Sequence, residues 1–434
     1  MGQTPAHALI DFLRFSDARE NGRAGLGKLR ERDWKPALRW LDDTGLAFYF
    51  LQKIKDSQLT DSIPPWALAR LEQNFAANRE RVGHMRKQFD SLNRRFNDAG
   101  VRYVVLKGNS MVPEFCPDIH LRYQADFDYL VDGASLELAK HIVVEAGYSP
   151  KAWASESSQE SIFLTPETEN KSLSPDQYSV RAGHAVELHL DIWDSDQFGL
   201  PPIPKLFSVY RSRTQQWNGL EFPGISDEEA FLIQVLHACQ HLFTYWLRMS
   251  CLFEIAFFLN RRVYDASLWN MVEQRVGDNL MLREFVVLIT ELAAKLFAAP
   301  IPQAVRVWGQ EIRPATRVWI KHYAQYCAFY EVPSYELSLL PRAKLVLFLQ
   351  QQYEGVSVHK NAVRNRLVKF TRFSRMAASL KDDPSLILKR AWWKRHLPLR
   401  RSVFHVTAGL RYLCEIPRWR WLNRSGSRSA STAL

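Results

Sequence analysis

Long apolar runs are missing from the 434 residues: the best stretch, Phe285 to Pro302, is broken by Glu291 and Lys295, short of the ~18 uninterrupted apolar residues that a membrane-spanning helix needs. Cysteine is scarce. The five (Cys116, Cys239, Cys251, Cys327, Cys414) are odd in number and form no CxxC pair, which argues against a disulfide framework or a zinc cluster and fits reduced thiols. Met1-Gly2-Gln3-Thr4-Pro5 lacks the basic and apolar regions of a secretory signal, so a cytoplasmic location is expected. There is no convincing internal repeat. Acids are scarce in one region only: from Arg342 to Leu434, 20 Lys and Arg face four acids (Glu354, Asp382, Asp383, Glu415). The rest of the chain is slightly acidic, which excludes a globally basic nucleic-acid coat and gives the C-terminal region a partner of its own. With 47% hydrophobic and 24% charged residues, the chain has the composition of an ordinary globular protein with a sizeable core.

Chemistry concentrates between Val104 and Val131. An apolar run ends in Lys107-Gly108-Asn109-Ser110, and Asp126-Phe127-Asp128-Tyr129-Leu130-Val131 follows. On a strand, Asp126 and Asp128 share one face while Phe127 points to the other. Paired carboxylates repel unless a proton or a cation intervenes, and hard oxygen ligands suit Mg²⁺. By that logic an Asp128→Asn substitution relieves repulsion in the metal-free protein. A glycine turn after a strand lets backbone N–H groups converge on phosphate, with Lys107 adding charge. Further on, His184 to Trp193 alternates polar with apolar residues, so Glu187, His189 and Asp191 share a face.

Three places, Leu106-Lys107-Gly108, Arg122 four residues ahead of Asp126-Phe127-Asp128, and Val186-Glu187-Leu188-His189, resemble nucleotidyltransferases of the polymerase β type, in particular a bacterial branch reading LKG, DxDxLV and ELH. The resemblance spans about residues 70 to 260. It implies an α+β fold: a small mixed sheet of nucleotidyltransferase type flanked by helical N-terminal and C-terminal regions. It also implies Mg²⁺, with Mn²⁺ as the alternative, and an NTP that gives its nucleoside monophosphate to an acceptor hydroxyl of unknown identity. Asp126, Asp128 and Glu187 become the metal ligands and catalytic carboxylates. Lys107, Gly108, Asn109, Ser110 and Arg122 become nucleotide contacts, with His189 standing behind the ligands or in the core. Asn109 and Ser110 either donate to phosphate or cap the turn; Arg122 either orients Asp126 or touches phosphate. The rival reading is a binding or regulatory protein that keeps the fold without turnover.

The expected divisions are a helical region over 1–97, a catalytic core over 98–225, a helical domain over 226–341 and a basic aromatic region over 342–434 whose last ~10 residues are disordered. Apolar residues from Leu68 to Phe96 recur at spacings of three, four and seven, one long helix. Strands are expected over Val101–Leu106, Tyr148–Trp153 and Ser161–Thr165, a helix over Leu136–Ala146, and a loop over Pro166–Asp176. Ser226-Asp227-Glu228-Glu229 reads as a capping box ahead of one apolar helix from Ala230 to about Leu259. On it, His237 and His241 read as structural histidines; the resemblance also implies a histidine near His241 and an acid near Glu254 that pack this helix against the catalytic sheet. Ala343–Leu349 and Ala362–Leu380 read as basic helices. Arg and Trp interleave in Arg390 to Arg395 and Arg418 to Trp421, suiting an anionic membrane surface or a protein partner in preference to nucleic acid, or else a cover for the body of the protein.

Overall fold

A computed structural model describes residues 4–15, 24–151, 160–165, 177–193, 200–203, 213–217, 219–244, 247–329, 341–353 and 406–424, with the single positions 195, 207 and 403. Its centre is a seven-stranded mixed sheet: β1 (Tyr103–Val105), β2 (Asp126–Val131), β3 (Ser149–Pro150), β4 (Glu160–Leu164), β5 (Ala185–His189), β6 (Arg213–Trp217) and β7 (Leu220–Gly224), in the order β3-β4-β5-β2-β1-β7-β6. β2 pairs antiparallel with β1 and parallel with β5, and the latter pairing sets Asp128 directly opposite Glu187. Opposed residues of adjacent strands project to the same face, so alternation carries Phe127, Tyr129, Val186 and Leu188 to the other side. These four lie in one buried cluster with Met85, Phe89 and Phe96 of the long helix.

Among the described residues, α1 (Pro5–Leu13), α2 (Glu31–Thr44) and α3 (Ala47–Asp56) precede α4 (Pro65–Asp98). Pro65 sits at the first helical position of α4, where its missing N–H is not needed. α4 then delivers the chain to β1, and α5 (Leu136–Glu145) follows β2. The expected single helix after Ser226 is two, α6 (Asp227–Phe243) and α7 (Met249–Arg262). Thr244 Oγ1 turns back onto the Gln240 carbonyl at 2.9 Å, and β-branched and aromatic residues there hold helix weakly. Ser226 occupies the cap position without a side-chain cap bond. α8 (Ala266–Val276), α9 (Leu280–Phe297), α10 (Gln303–Glu311) and α11 (Pro314–Trp319) complete the helical body. Its core is continuous with that of α1–α3 and with the other face of the sheet, through Val104, Leu106 and Leu130.

Several expected limits shift. β1 and β5 are shorter than the periodicity predicts. β5 stops at His189 because Asp191 Oδ1 accepts the N–H of Ile192 at 2.7 Å, a local turn that diverts the backbone; Asp191 thus leaves the face it was expected to share. The expected basic helix Ala343–Leu349 is a 3₁₀ segment, Pro341–Val346, running into one turn of α-helix. From Lys344 to Leu349 it is buried, because five consecutive apolar residues, Leu345 to Leu349, fill the core there. The Pro166–Asp176 loop, the Ala362–Leu380 helix, Trp392, Trp393 and the last ten residues lie outside the described residues. Residues 406–424 form a helix, α12. The five cysteines are free thiols, and no helix among the described residues is long and apolar enough to cross a membrane.

Candidate functional site

β2 and β5 lie side by side in parallel, so the alternation that sends their aromatic and aliphatic residues into one core sends Asp126, Asp128, Glu187 and His189 to the face beneath α6. One oxygen of Asp128, one of Glu187 and one nitrogen of His189 all lie within 4.8 Å of one another. His189 Nε2 is 3.2 Å from Asp128 Oδ1 and 3.8 Å from Glu187 Oε2, and its Nδ1 is 3.6 Å from Glu160 Oε1. His189 therefore belongs to the cluster itself and not to the apolar core. Asp126 opens β2 two residues away on the same face and stands outside that closest set. Among the described residues this is the one group of three or more such side chains close enough to share an ion.

Lys107 closes the cluster: Nζ lies 2.8 Å from Asp128 Oδ1, with the lysine side chain only 14% exposed. Burial works against the Lys107 charge, but Asp128, then Asp126 and Glu187, outweigh it and lift its proton affinity above that of an ordinary lysine. Burial would likewise raise the Asp128 pKa. Lys107 and His189 reverse this and hold its carboxyl well below the usual carboxylate range. Asp126 is raised by burial and by Asp128. Glu187 rises well above 4.5 through burial, then Asp126 and Asp128. Lys107 thus pairs with one of three carboxylates, and the repulsion that raises the other two is relieved by a proton or by a bound cation.

The histidines of α6 continue from Lys107. Its Nζ is 3.4 Å from His237 Nδ1, and His237 Nε2 is 3.1 Å from His241 Nε2. A lysine donates only, so His237 accepts at Nδ1 and donates from Nε2 to His241. Burial, then Lys107 and His241, push the His237 pKa far below 6.5; His241 falls to about 3 through burial, then Lys107. Two neutral imidazoles therefore hold the lysine over Asp128. Their i, i+4 spacing alone did not separate this arrangement from an apolar-core one.

Gly108 adopts φ +65°, and a Cβ there would come within 2.3 Å of Gln124 Nε2. The left-handed φ favours glycine at this turn, and a side chain here would have to displace the Gln124 amide. The same Gln124 amide reaches the Asp126 carbonyl at 3.0 Å, so the lysine turn and the first acid are braced by one side chain. Asn109 and Ser110 are buried, and the Ser110 hydroxyl donates to the Lys107 carbonyl at 3.4 Å, with no side-chain cap bond at the start of this 3₁₀ turn.

Arg122 reaches into the helical body while its charge still acts on Asp126, against the effects of burial and of Asp128. Its Nε meets Glu254 Oε1 at 2.8 Å, where Tyr49 also donates at 2.9 Å. The expected acid on the helix after Ser226 thus clamps α7 to the loop before β2. Sequence reasoning missed the other clamp. From α4, Asn78 Nδ2 donates to the carbonyls of His120 (2.8 Å) and Arg122 (3.1 Å), and buried Arg81 donates to those of Gln124 and Gly183. Arg81 therefore ties together the two loops that lead into β2 and β5. Arg81 and Arg248 each lie over the Tyr123 ring, at 5.0 and 6.0 Å.

The family described as uncharacterised nucleotidyltransferase has a model that matches residues 30–298. No curated protein and no solved structure matches the chain.

Proposed function

Because the chain belongs to this nucleotidyltransferase family, we propose that it carries the polymerase β type of catalytic core and transfers a nucleoside monophosphate from an NTP to an acceptor hydroxyl, releasing pyrophosphate. The observation that supports this most is the parallel β2–β5 pairing, which sets Asp128 against Glu187 beside a lysine turn. The donor set fits a divalent metal: two carboxylates and an imidazole close together, with one carboxylate already short of positive charge. We assign Asp128, Glu187 and His189 as the nearest ligands, with Asp126 completing the acidic face, and Mg²⁺ or Mn²⁺ as the ion; an imidazole among the donors suits Mn²⁺. When bound, such ions neutralise charge on the triphosphate and on the attacking and leaving oxygens.

The chain's own residues do the rest. The acceptor oxygen bonds to the α-phosphorus while the bond from that phosphorus to the bridging oxygen breaks, and pyrophosphate leaves with the electron pair. Glu187, set opposite Asp128 on β5, takes the acceptor's proton. Lys107, on the glycine turn, passes from Asp128 to the triphosphate, and the two neutral histidines behind it add no competing charge. Arg122 and Arg81 act on geometry, by fixing the loop from His120 to Gln124. The same reading has the enzyme working in the cytoplasm, with its basic C-terminal region available to an anionic surface.

Screening the four NTPs with Mg²⁺ or Mn²⁺ for pyrophosphate release and for labelling of the protein tests the proposal. Release that vanishes in Asp128→Asn supports it; no release with any NTP and either metal counts against turnover. One observation favours the rival reading of a binding protein without turnover: the Lys107 ammonium already supplies Asp128 with a cation. Nucleotide binding that needs no divalent metal and yields no pyrophosphate would select that rival.

A further inference from the structure

Helix α12 has a buried face and an exposed apolar stripe. Ala408, Tyr412, Glu415 and Trp419 face inward. Phe348 stacks on Tyr412 at 4.6 Å and on Trp419 at 5.1 Å, and Tyr323 donates to Glu415 Oε2 at 3.2 Å. These contacts anchor the helix and its orientation. On the opposite side Val406, Leu410 and Leu413 are 59%, 57% and 59% exposed, at spacings of four and three that set them in one line. Val403 continues the line one turn earlier and is 53% exposed. Isolated exposed aliphatics are common on protein surfaces, but four in one stripe on an already anchored helix are not.

The charges beside the stripe have one sign. By helical position Arg411 and Arg418 border one edge, Arg420 lies toward the other, and Arg424 stands on the line itself at its C-terminal end. The helix's single acid, Glu415, is buried and paired with Arg411 at 3.0 Å and Arg418 at 3.5 Å. Its outward surface therefore offers arginine and hydrocarbon but no exposed carboxylate. A nucleic acid would meet the arginines and leave the aliphatic line in water. A bilayer with anionic headgroups takes both, hydrocarbon below the headgroups and guanidinium among the phosphates.

We propose that the exposed face of α12 seats the protein on an anionic bilayer, with Val406, Leu410 and Leu413 entering the interface and Arg420 and Arg424 contacting lipid phosphates. The helix lies in the interface plane and does not span it, consistent with the absence of a membrane-crossing helix among the described residues. This inference is independent of the nucleotidyl-transfer reading, since no residue of the carboxylate cluster takes part.

Flotation of the full-length protein with phosphatidylcholine vesicles, with and without phosphatidylglycerol, is the test. Wild type should float with the anionic vesicles, far less with the neutral ones, and be released by high salt. Replacing Val406, Leu410 and Leu413 together by Ser should weaken flotation by at least roughly tenfold. Replacing Arg420 and Arg424 by Gln should weaken it by about fivefold per arginine. All five positions are exposed, so circular dichroism should match wild type. A Leu410→Trp variant guards against misfolding of the Ser variant: its added emission should shift to the blue with anionic vesicles. Wild-type protein that does not float, or a Ser variant that floats as well as wild type, would overturn the proposal. So would salt-sensitive binding to a single-stranded oligonucleotide without flotation, or a concentration-dependent dimer without flotation that the Ser variant loses; the last would assign the stripe to a second copy.

Discussion

The two faces of the β2–β5 pair are both covered, the polar one less completely, and hold opposite contents. One presents Phe127, Tyr129, Val186 and Leu188 to α4; the other presents Asp128, Glu187 and His189, with Asp126 at its edge, to Lys107 and α6. On the first face burial stabilises the fold, because apolar area leaves water and aromatic rings meet at good angles, as Phe89 does with Phe127 at 5.4 Å. On the second, burial opposes the charges it encloses. The strand pair can carry this second face because the first one holds it together, and because Lys107 offsets part of the repulsion.

Breaking the apolar face should have the largest effect on stability. Phe127→Ala removes a ring that is 2% exposed in a well-packed cluster, and should cost about 3–5 kcal/mol in urea or thermal unfolding. If the two faces are distinct in role, the fraction that stays folded should keep its metal dependence. Next in size is Lys107→Met, which leaves Asp128 without its ammonium and should cost about 3 kcal/mol in the presence of a chelator. Adding Mn²⁺ or Mg²⁺ should then raise the melting temperature of the variant by more than that of wild type, since an ion takes over what the lysine supplied. An equal response in both proteins would detach Lys107 from the metal question. Smaller again is Gly108→Ala, strained by φ +65° and by Gln124, at about 1–3 kcal/mol. Its loss of nucleotide affinity should exceed its loss of stability if the turn meets phosphate.

The apolar face was the more legible of the two in the sequence. Its residues repeat with the period of a strand or a helix, and such periods need no partner to be seen; α4 spans Pro65–Asp98 around the stripe from Leu68 to Phe96. The acidic pair and Glu187 also stood out, since charge inside apolar sequence is costly enough to need a reason. What could not be read was anything fixed by distant partners: Arg122 on Glu254, Arg81 on two loop carbonyls, the histidine pair behind Lys107. One signal was present all the same. In α4 the spacing Leu71, Phe75, Val82, Met85 calls for an apolar residue at 78, and Asn78 stands there instead, buried and bonded to the loop before the site. The break at Thr244 was hidden because apolar residues continue past it, and a turn of helix can be given up wherever tertiary contacts on both sides repay it.

The smallest effect is the one that separates the carboxylates from each other. Sequence alone suggests that Asp128→Asn relieves repulsion, but Lys107 and His189 hold the Asp128 carboxyl below its ordinary range, so its charge stabilises the fold. That contribution is present above 3.8 and is lost as pH falls further. Asp128→Asn should therefore be slightly less stable than wild type at neutral pH, as well as inactive. Glu187 behaves in the opposite sense: its folded-state pKa lies well above 4.5, so the folded chain keeps that proton to a higher pH than the unfolded chain does. Its contribution is full below 4.5 and is lost as pH rises through the raised value. Glutamine is neutral throughout. Glu187→Gln should thus match wild type near pH 4.5 and gain on it steadily toward pH 8 in chelator, a difference read from melting temperatures across that range. Saturating Mn²⁺ should shrink the gain or invert it, because the ion stabilises the carboxylate that the amide lacks. A Glu187→Gln protein less stable than wild type at pH 8 in chelator would mean that Glu187 is held charged by its surroundings, and the excess of negative charge on this face would vanish with it.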